Sequence, residues 1–170
     1  MKKISRFIFL AILLFTGCGY HFSGSGARLP SGVLSVAIPI FGNQTIQTGI
    51  ETTLTGALVD KFTAARQVTV TGQSEADAIL SGTVKSFTTS PTAVTLGTQV
   101  ATEYRATITI EATFKRQRDG KILWKGEVSD WRNYSVVSDL AATEANKKEA
   151  IRQASELLAE RLYVIILEDF

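Results

Sequence analysis

One cysteine and one histidine in 170 residues set the first limits on this chain. With Cys18 alone, no internal disulfide can form. With only Cys18 and His21 there is no Cys/His set for a metal and no Cys/His nucleophile pair. Gly24-Ser25-Gly26 lacks the spacing of a dinucleotide-binding loop. An excess of one charge is missing too. Three of the 18 basic residues (Lys2, Lys3 and Arg6) fall in the first 17 positions, which leaves 15 against 16 acidic ones beyond them. A general nucleic-acid surface is not expected from that balance. A membrane-spanning helix needs roughly 20 apolar residues, and the run Phe7 to Phe15 has nine.

That short run nevertheless has a clear context. It follows the basic residues and ends in Phe15-Thr16-Gly17-Cys18. A positive start, a short apolar stretch and small residues before a break form a secretory signal. The ending resembles the lipobox of bacterial lipoproteins, in which the cysteine thiol takes a diacylglycerol. Residues 1–17 are therefore read as a signal peptide. Residues 18–32 are read as the lipidated N-terminus and a Gly/Ser-rich tether, and 33–170 as one α+β domain. Covalent lipid on Cys18 is the only prosthetic group expected. Each buried acyl methylene contributes roughly 0.8 kcal/mol, so several chains anchor durably to a membrane.

Within the domain, Leu34, Val36, Ile38 and Ile40 alternate as a first strand, which Pro39 ends or places at an edge. Thr48 to Glu51 matches a capping box, opening a helix over about 49–65 through Ile50, Leu54, Ala57, Leu58 and Phe62. Val68 and Val70 mark a short extended piece. The segment from Ala76 to about Phe87 is a second strand, parallel to the first. Residues 88–99, rich in Thr with a Pro and a Gly, read as a long loop or a frayed strand end. Tyr104 to Phe114 alternates apolar and polar, the pattern of an antiparallel strand covered on one side. Asp119-Gly120 predicts a tight turn with both residues at positive φ. The return strand starts at Ile122, and its apolar phase breaks after Val128, which predicts a bulge near Asp130–Arg132. A last helix, about 140–166, is capped by Asp139 and carries the stripe Ile151, Ala154, Leu158, Leu162 and Ile165. Glu144 and Lys148 make an i,i+4 pair on it. The expected fold is a two-layer sandwich, two helices on one face of a four-stranded mixed sheet in the order β-α-β-β-β-α.

Several segments together resemble one family, the lipopolysaccharide-assembly lipoproteins LptE. They are Cys18-Gly19-Tyr20-His21-Phe22, Ile38 to Thr45 (IPIFGNQT), Gly49-Ile50-Glu51 with Leu54-Thr55, Ala76 to Gly82 (ADAILSG) and Asp119 to Trp124 (DGKILW). The resemblance implies an outer-membrane lipoprotein that is no enzyme. It implies a place inside the lumen of an LptD-type β-barrel, as its plug and assembly partner, and binding of lipopolysaccharide in transit. Gly19 is not the aspartate that retains some lipoproteins at the inner membrane. Twenty of the 170 residues are Thr, many on strands, and a polar sheet face suits a polar barrel interior as well as it suits plain solvent.

A binder of lipid A phosphates needs basic side chains presented together. The densest group, Lys115, Arg116, Arg118 and Lys121 with Lys125 beyond, surrounds the Asp119-Gly120 turn. The same charges also serve as ordinary protection against edge pairing. Lys147, Lys148 and Arg152 have acidic neighbours and read as a solvated helix face. Trp131 and Tyr134 face either outward or into a small core under the last helix. Two other readings compete: an envelope adaptor that binds no lipopolysaccharide, and a lipid-anchored hydrolase built on a carboxylate pair such as Asp77 and Glu103.

Overall fold

The computed structural model describes residues 32–95 and 101–168. The signal, Cys18 and most of the tether lie outside the described residues, as do positions 96–100. Eight elements follow in order: β1 (Ser35–Ala37), β2 (Gly42–Asn43), α1 (Ile50–Ala65), β3 (Thr69–Val70), β4 (Ala78–Val94), β5 (Ala101–Arg116), β6 (Ile122–Ser135) and α2 (Leu140–Glu168). The sheet order is β3-β1-β4-β5-β6, with β2 also paired to β4. The strands β1, β2 and β3 make parallel pairs, and β4, β5 and β6 form an antiparallel meander. Both helices lie in one layer, so the expected α+β sandwich and element order hold, with six strands instead of four. The extra two are two-residue pieces: the Val70 segment pairs with β1, and Gly42-Asn43 resumes pairing with β4 after Pro39.

The core follows the even-numbered face of β5. Ala106, Ile108, Ile110, Ala112 and Phe114 are all buried against Leu54, Leu58 and Phe62 of α1 and Leu158, Leu162 and Ile166 of α2. The first strand departs from its expected phase. Val33, Val36, Ala37 and Phe41 are buried, whereas Leu34 and Ile40 are exposed. Only three residues of that segment are β-strand, so a single alternation does not run through it. Helix α1 begins one residue later than the capping box placed it. Gly49, at φ 84°, is the N-cap, and no side chain caps the helix. Glu51 accepts instead from Asn43 Nδ2 at 2.7 Å, tying α1 to β2. At α2 the expected cap is present, with Ala141 N–H donating to Asp139 Oδ1 at 2.9 Å. Glu144 pairs with Lys147 at 3.4 Å, not with Lys148.

Residues 88–94, part of the stretch read from sequence as a long loop or a frayed strand end, continue β4. Beyond Val84 that strand has β5 on one side only, and a proline such as Pro91 is tolerated on an edge because no ladder donor is required there.

The expected bulge near Asp130–Arg132 is absent. Pairing of β5 with β6 runs unbroken from Glu103↔Ser135 to Phe114↔Trp124. Asp130 therefore does point toward the helix layer, 7% exposed. It is tolerated there because α2 supplies Arg161, whose Nη2 lies 3.0 Å from Asp130 Oδ2. Arg161 Nη1 also donates to Ser129 O at 3.0 Å, and Asp130 Oδ1 accepts from Trp131 N–H at 2.8 Å. The clip thus joins α2 to the outer edge of β6 and occupies backbone groups that would otherwise invite a further strand. Arg161→Ala should lower stability by about 1–2 kcal/mol. That is less than the loss of a fully buried pair, since the arginine is half exposed. Urea unfolding checks it, and an unchanged midpoint would contradict the clip.

Candidate functional site

Two features stand outside the core: the uncovered face of the meander and the hairpin between β5 and β6. The odd-numbered residues of β5 point away from the helices, and the register sets their neighbours. Ser81↔Thr113, Thr83↔Glu111, Ser86↔Thr109 and Thr88↔Thr107 pair between β4 and β5. Thr113↔Lys125, Thr109↔Ser129, Thr107↔Trp131 and Arg105↔Asn133 pair between β5 and β6. The result is a hydroxyl-rich surface of nearly balanced charge. Thr109 and Ser129 bond each other at 3.2 Å, and Lys125 pairs with Glu111 at 3.2 Å.

The hairpin is longer than the tight turn expected. Strand β5 ends at Arg116 and β6 begins at Ile122, with Arg116 N–H donating to Lys121 O at 2.8 Å. Only Gly120 has positive φ, at 68°. Asp119 shapes the loop differently: it accepts from Lys121 N–H at 3.0 Å and from Arg116 Nη1 at 3.1 Å. The Lys121 amide first, then the Arg116 guanidinium, hold its carboxyl below the usual range.

The basic residues singled out from sequence separate into two groups. Arg116 is committed to Asp119, with its side chain 13% exposed, and Lys125 is committed to Glu111. Lys115, Arg118 and Lys121 make no ion pair among the described residues and share the hairpin tip. Lys115 lies along the turn, its Cε facing Gly120. Arg118 lies beside Gly32 and lends charge to Asp77. On α2, Arg152 bridges Glu149 and Glu156, the solvated helix face expected.

Asp77 and Glu103 do not form a pair. Asp77 sits beside the hairpin end of the sheet, where Gln117 N–H donates to its carbonyl, and Glu103 sits beside Ser135 at the other end. Fourteen residues of strand at roughly 3.3 Å each place them more than about 40 Å apart. Asp77 has a structural task. Its Oδ2 accepts from Leu34 N–H, Ser35 N–H and Ser35 Oγ, each at 2.9 Å. The Leu34 amide is the main cause of its lowered pKa. A carboxyl depressed in the fold stabilises above its unfolded pKa and loses that contribution as pH falls through the folded one. Asp77→Asn should therefore remove about 1 kcal/mol at neutral pH, after allowance for solvent screening, and progressively less as pH falls through the lowered carboxyl pKa. Stability curves at neutral pH and in strong acid check this.

Sequence reasoning missed one cluster on the open face. The Arg105 guanidinium lies 4.0 Å from the centre of the Trp131 ring, and its Nε faces Asn133 Oδ1 at 3.5 Å. Trp131 is 44% exposed. Tyr134 points to the opposite side, stacked on Tyr104 with centroids 5.9 Å apart. Burial, with the Glu144 charge, pushes its hydroxyl pKa up. The observed register, Thr107↔Trp131 and Arg105↔Asn133, sets Trp131 diagonal to Arg105. A two-residue turn at Asp119-Gly120 would instead set Trp131 opposite Ile108, so the tight turn and the bulge expected from sequence both hid the contact.

Comparison with solved structures gives the class first. Lipoprotein B from Nitrosomonas europaea superimposes with a TM-score of 0.55 at 13% identity, covering 85% of this chain and 87% of that one. The rare lipoprotein B from Shewanella oneidensis gives 0.53 at 13% identity, covering 78% and 92%. A Xanthomonas campestris protein gives 0.54 at 16% identity, covering 77% and 84%. At such identities the likeness is one of fold, and the fold is one that bacterial lipoproteins use. No curated protein matches the sequence. The model of the LptE family, lipopolysaccharide-assembly, matches residues 33–164. The chain belongs to the LptE family, and it is accordingly an outer-membrane lipoprotein of lipopolysaccharide assembly.

Proposed function

We propose that this lipoprotein is anchored through Cys18, occupies the lumen of an LptD-type β-barrel as its plug and assembly partner, and binds lipopolysaccharide during transport to the cell surface. The family match over residues 33–164 carries the reading. The uncovered hydroxyl-rich sheet face supports it, because the interior of a large barrel is polar and a neutral hydrogen-bonding surface fits against it. In this role the protein binds and positions, and transforms nothing. Lys115, Arg118 and Lys121 at the hairpin tip are the proposed phosphate contacts, since none of them is held in an ion pair among the described residues as Arg116 and Lys125 are.

Affinity purification of the tagged full-length chain from gently solubilised outer membranes tests the partner. A large barrel protein recovered one to one is the expected result. Recovery of the lipoprotein alone, or with soluble periplasmic proteins, overturns the plug reading and leaves an adaptor. Neutralising Lys115, Arg118 and Lys121 together should weaken lipopolysaccharide binding by about tenfold or more.

A further inference from the structure

The Arg105–Trp131 cluster lies on the uncovered sheet face, and its chemistry is more specific than that of the hydroxyls around it. Trp131 stands on an otherwise hydroxyl-bearing surface, with Thr107 opposite it and Ser129 and Asn133 two residues to either side on its own strand. Its backbone is held on both sides: the N–H by Asp130 Oδ1 at 2.8 Å and the carbonyl by Arg132 Nη1 at 3.2 Å. The Arg105 guanidinium packed over one face of the ring restricts its rotamers, so that binding at the ring costs less ordering. Arg105 is stacked on that ring and makes no ion pair among the described residues. With Nε turned to Asn133, the two terminal nitrogens of its fork remain for an anion. Nearby Glu103 is engaged by Thr92 Oγ1 at 3.2 Å.

An exposed indole bordered by hydroxyls suits a pyranose ring, whose C–H face packs on the aromatic surface while its hydroxyls meet Ser and Thr. A single available guanidinium suits one phosphate or carboxylate. Resting on the proposal that the protein binds lipopolysaccharide, we infer that Trp131, Arg105 and Asn133 form a subsite for an acidic sugar of that lipid, separate from the hairpin tip. A nucleic acid or an acidic peptide would need several cations together; on this face Lys125 is paired with Glu111 and Lys115 lies at the hairpin end, which leaves Arg105 alone of these beside the ring.

The test uses the purified mature lipoprotein and two probes, deep-rough lipopolysaccharide and a lipid-free bisphosphorylated glucosamine disaccharide. Trp131→Ala and Arg105→Gln should each weaken lipopolysaccharide binding by about tenfold, the equivalent of one charge-assisted hydrogen bond. Trp131→Phe, which keeps an aromatic face, should retain most of the affinity and also guards against a mere folding defect. The disaccharide should shift the Trp131 indole N–H resonance in the wild type and in Lys115→Gln/Lys121→Gln alike. Lipopolysaccharide bound as tightly by Trp131→Ala and Arg105→Gln as by the wild type overturns the subsite and leaves the proposed function standing. A disaccharide-induced shift without lipopolysaccharide binding keeps the sugar site and overturns the wider function. No response to either probe overturns both.

Discussion

Gly82→Ala should lower stability by about 3 kcal/mol, a large effect for one added carbon. Gly82 lies on the helix-facing side of β4, opposite Ala112 of β5. A Cβ there would come within 2.4 Å of Phe41 Cε1 and 2.5 Å of the Glu111 carbonyl oxygen. Neither neighbour can give way easily. The carbonyl belongs to β5, held between β4 and β6. Phe41 is 2% exposed, and its amide donates to Thr55 Oγ1 of α1 at 3.1 Å. That hydroxyl is itself bonded to Glu51 O at 2.7 Å, so the aromatic ring is fixed to the helix that covers it. Accommodating the methyl means separating β4 from β5 or expelling Phe41, and either loosens the sheet where α1 meets it. A domain of this size is stable by only about 5–15 kcal/mol, so the urea midpoint should fall by about 1–2 M. A midpoint within error of the wild type would mean that the approach of Phe41 to β4 is not a constraint on the fold.

How far the sequence disclosed this fold depended on where each residue's partner lay. Strand β5 was legible because its two faces meet different environments, and every apolar position from Ala106 to Phe114 is buried. The last helix was legible for the same reason, with a cap that acts two residues away. What failed involved distant partners. Asp130 broke the apolar phase of β6 and implied a bulge, yet the charge that accommodates it comes from Arg161, on another element. The end of β4 around Pro91 faces water and lacks a partner on one edge, so nothing in its composition had to advertise a strand. At the capping box the chain used Gly49 at positive φ and spent Glu51 on Asn43.

The candidate site was legible in charge but not in pairing. Five basic residues cluster around the hairpin as expected, and two of them turn out to be held by Asp119 and Glu111. Side-chain pairing across a sheet depends on register, and a one-residue slip exchanges the faces. The Arg105–Trp131 contact, 26 positions apart in sequence, is visible only once that register is known.

The two helices should prove to be held together by packing, and paired substitutions at one contact test it with opposite signs. Phe62 of α1 is wholly buried, edge-on to Tyr163 of α2 at 5.1 Å between centroids and 88° between ring planes. Removing the Phe62 ring leaves a cavity walled by two helices that the sheet keeps in place, so Phe62→Ala should cost about 3–5 kcal/mol. The Tyr163 hydroxyl presents the reverse case. It is buried without a hydrogen-bond partner among the described residues, and burial pushes its pKa up. An unpaired buried hydroxyl opposes folding, so Tyr163→Phe should raise stability by about 1 kcal/mol while leaving the ring contact intact. Lys61, paired with Glu160 at 3.1 Å and 5.5 Å from the centre of the Tyr163 ring, should contribute little, because the pair is partly exposed. Urea unfolding of the single and double variants reads both effects. Loss of stability in Tyr163→Phe would show that the hydroxyl does have a partner in solution. The helix interface would then depend on a polar contact, and the cost of Phe62→Ala would have to be divided between packing and that bond.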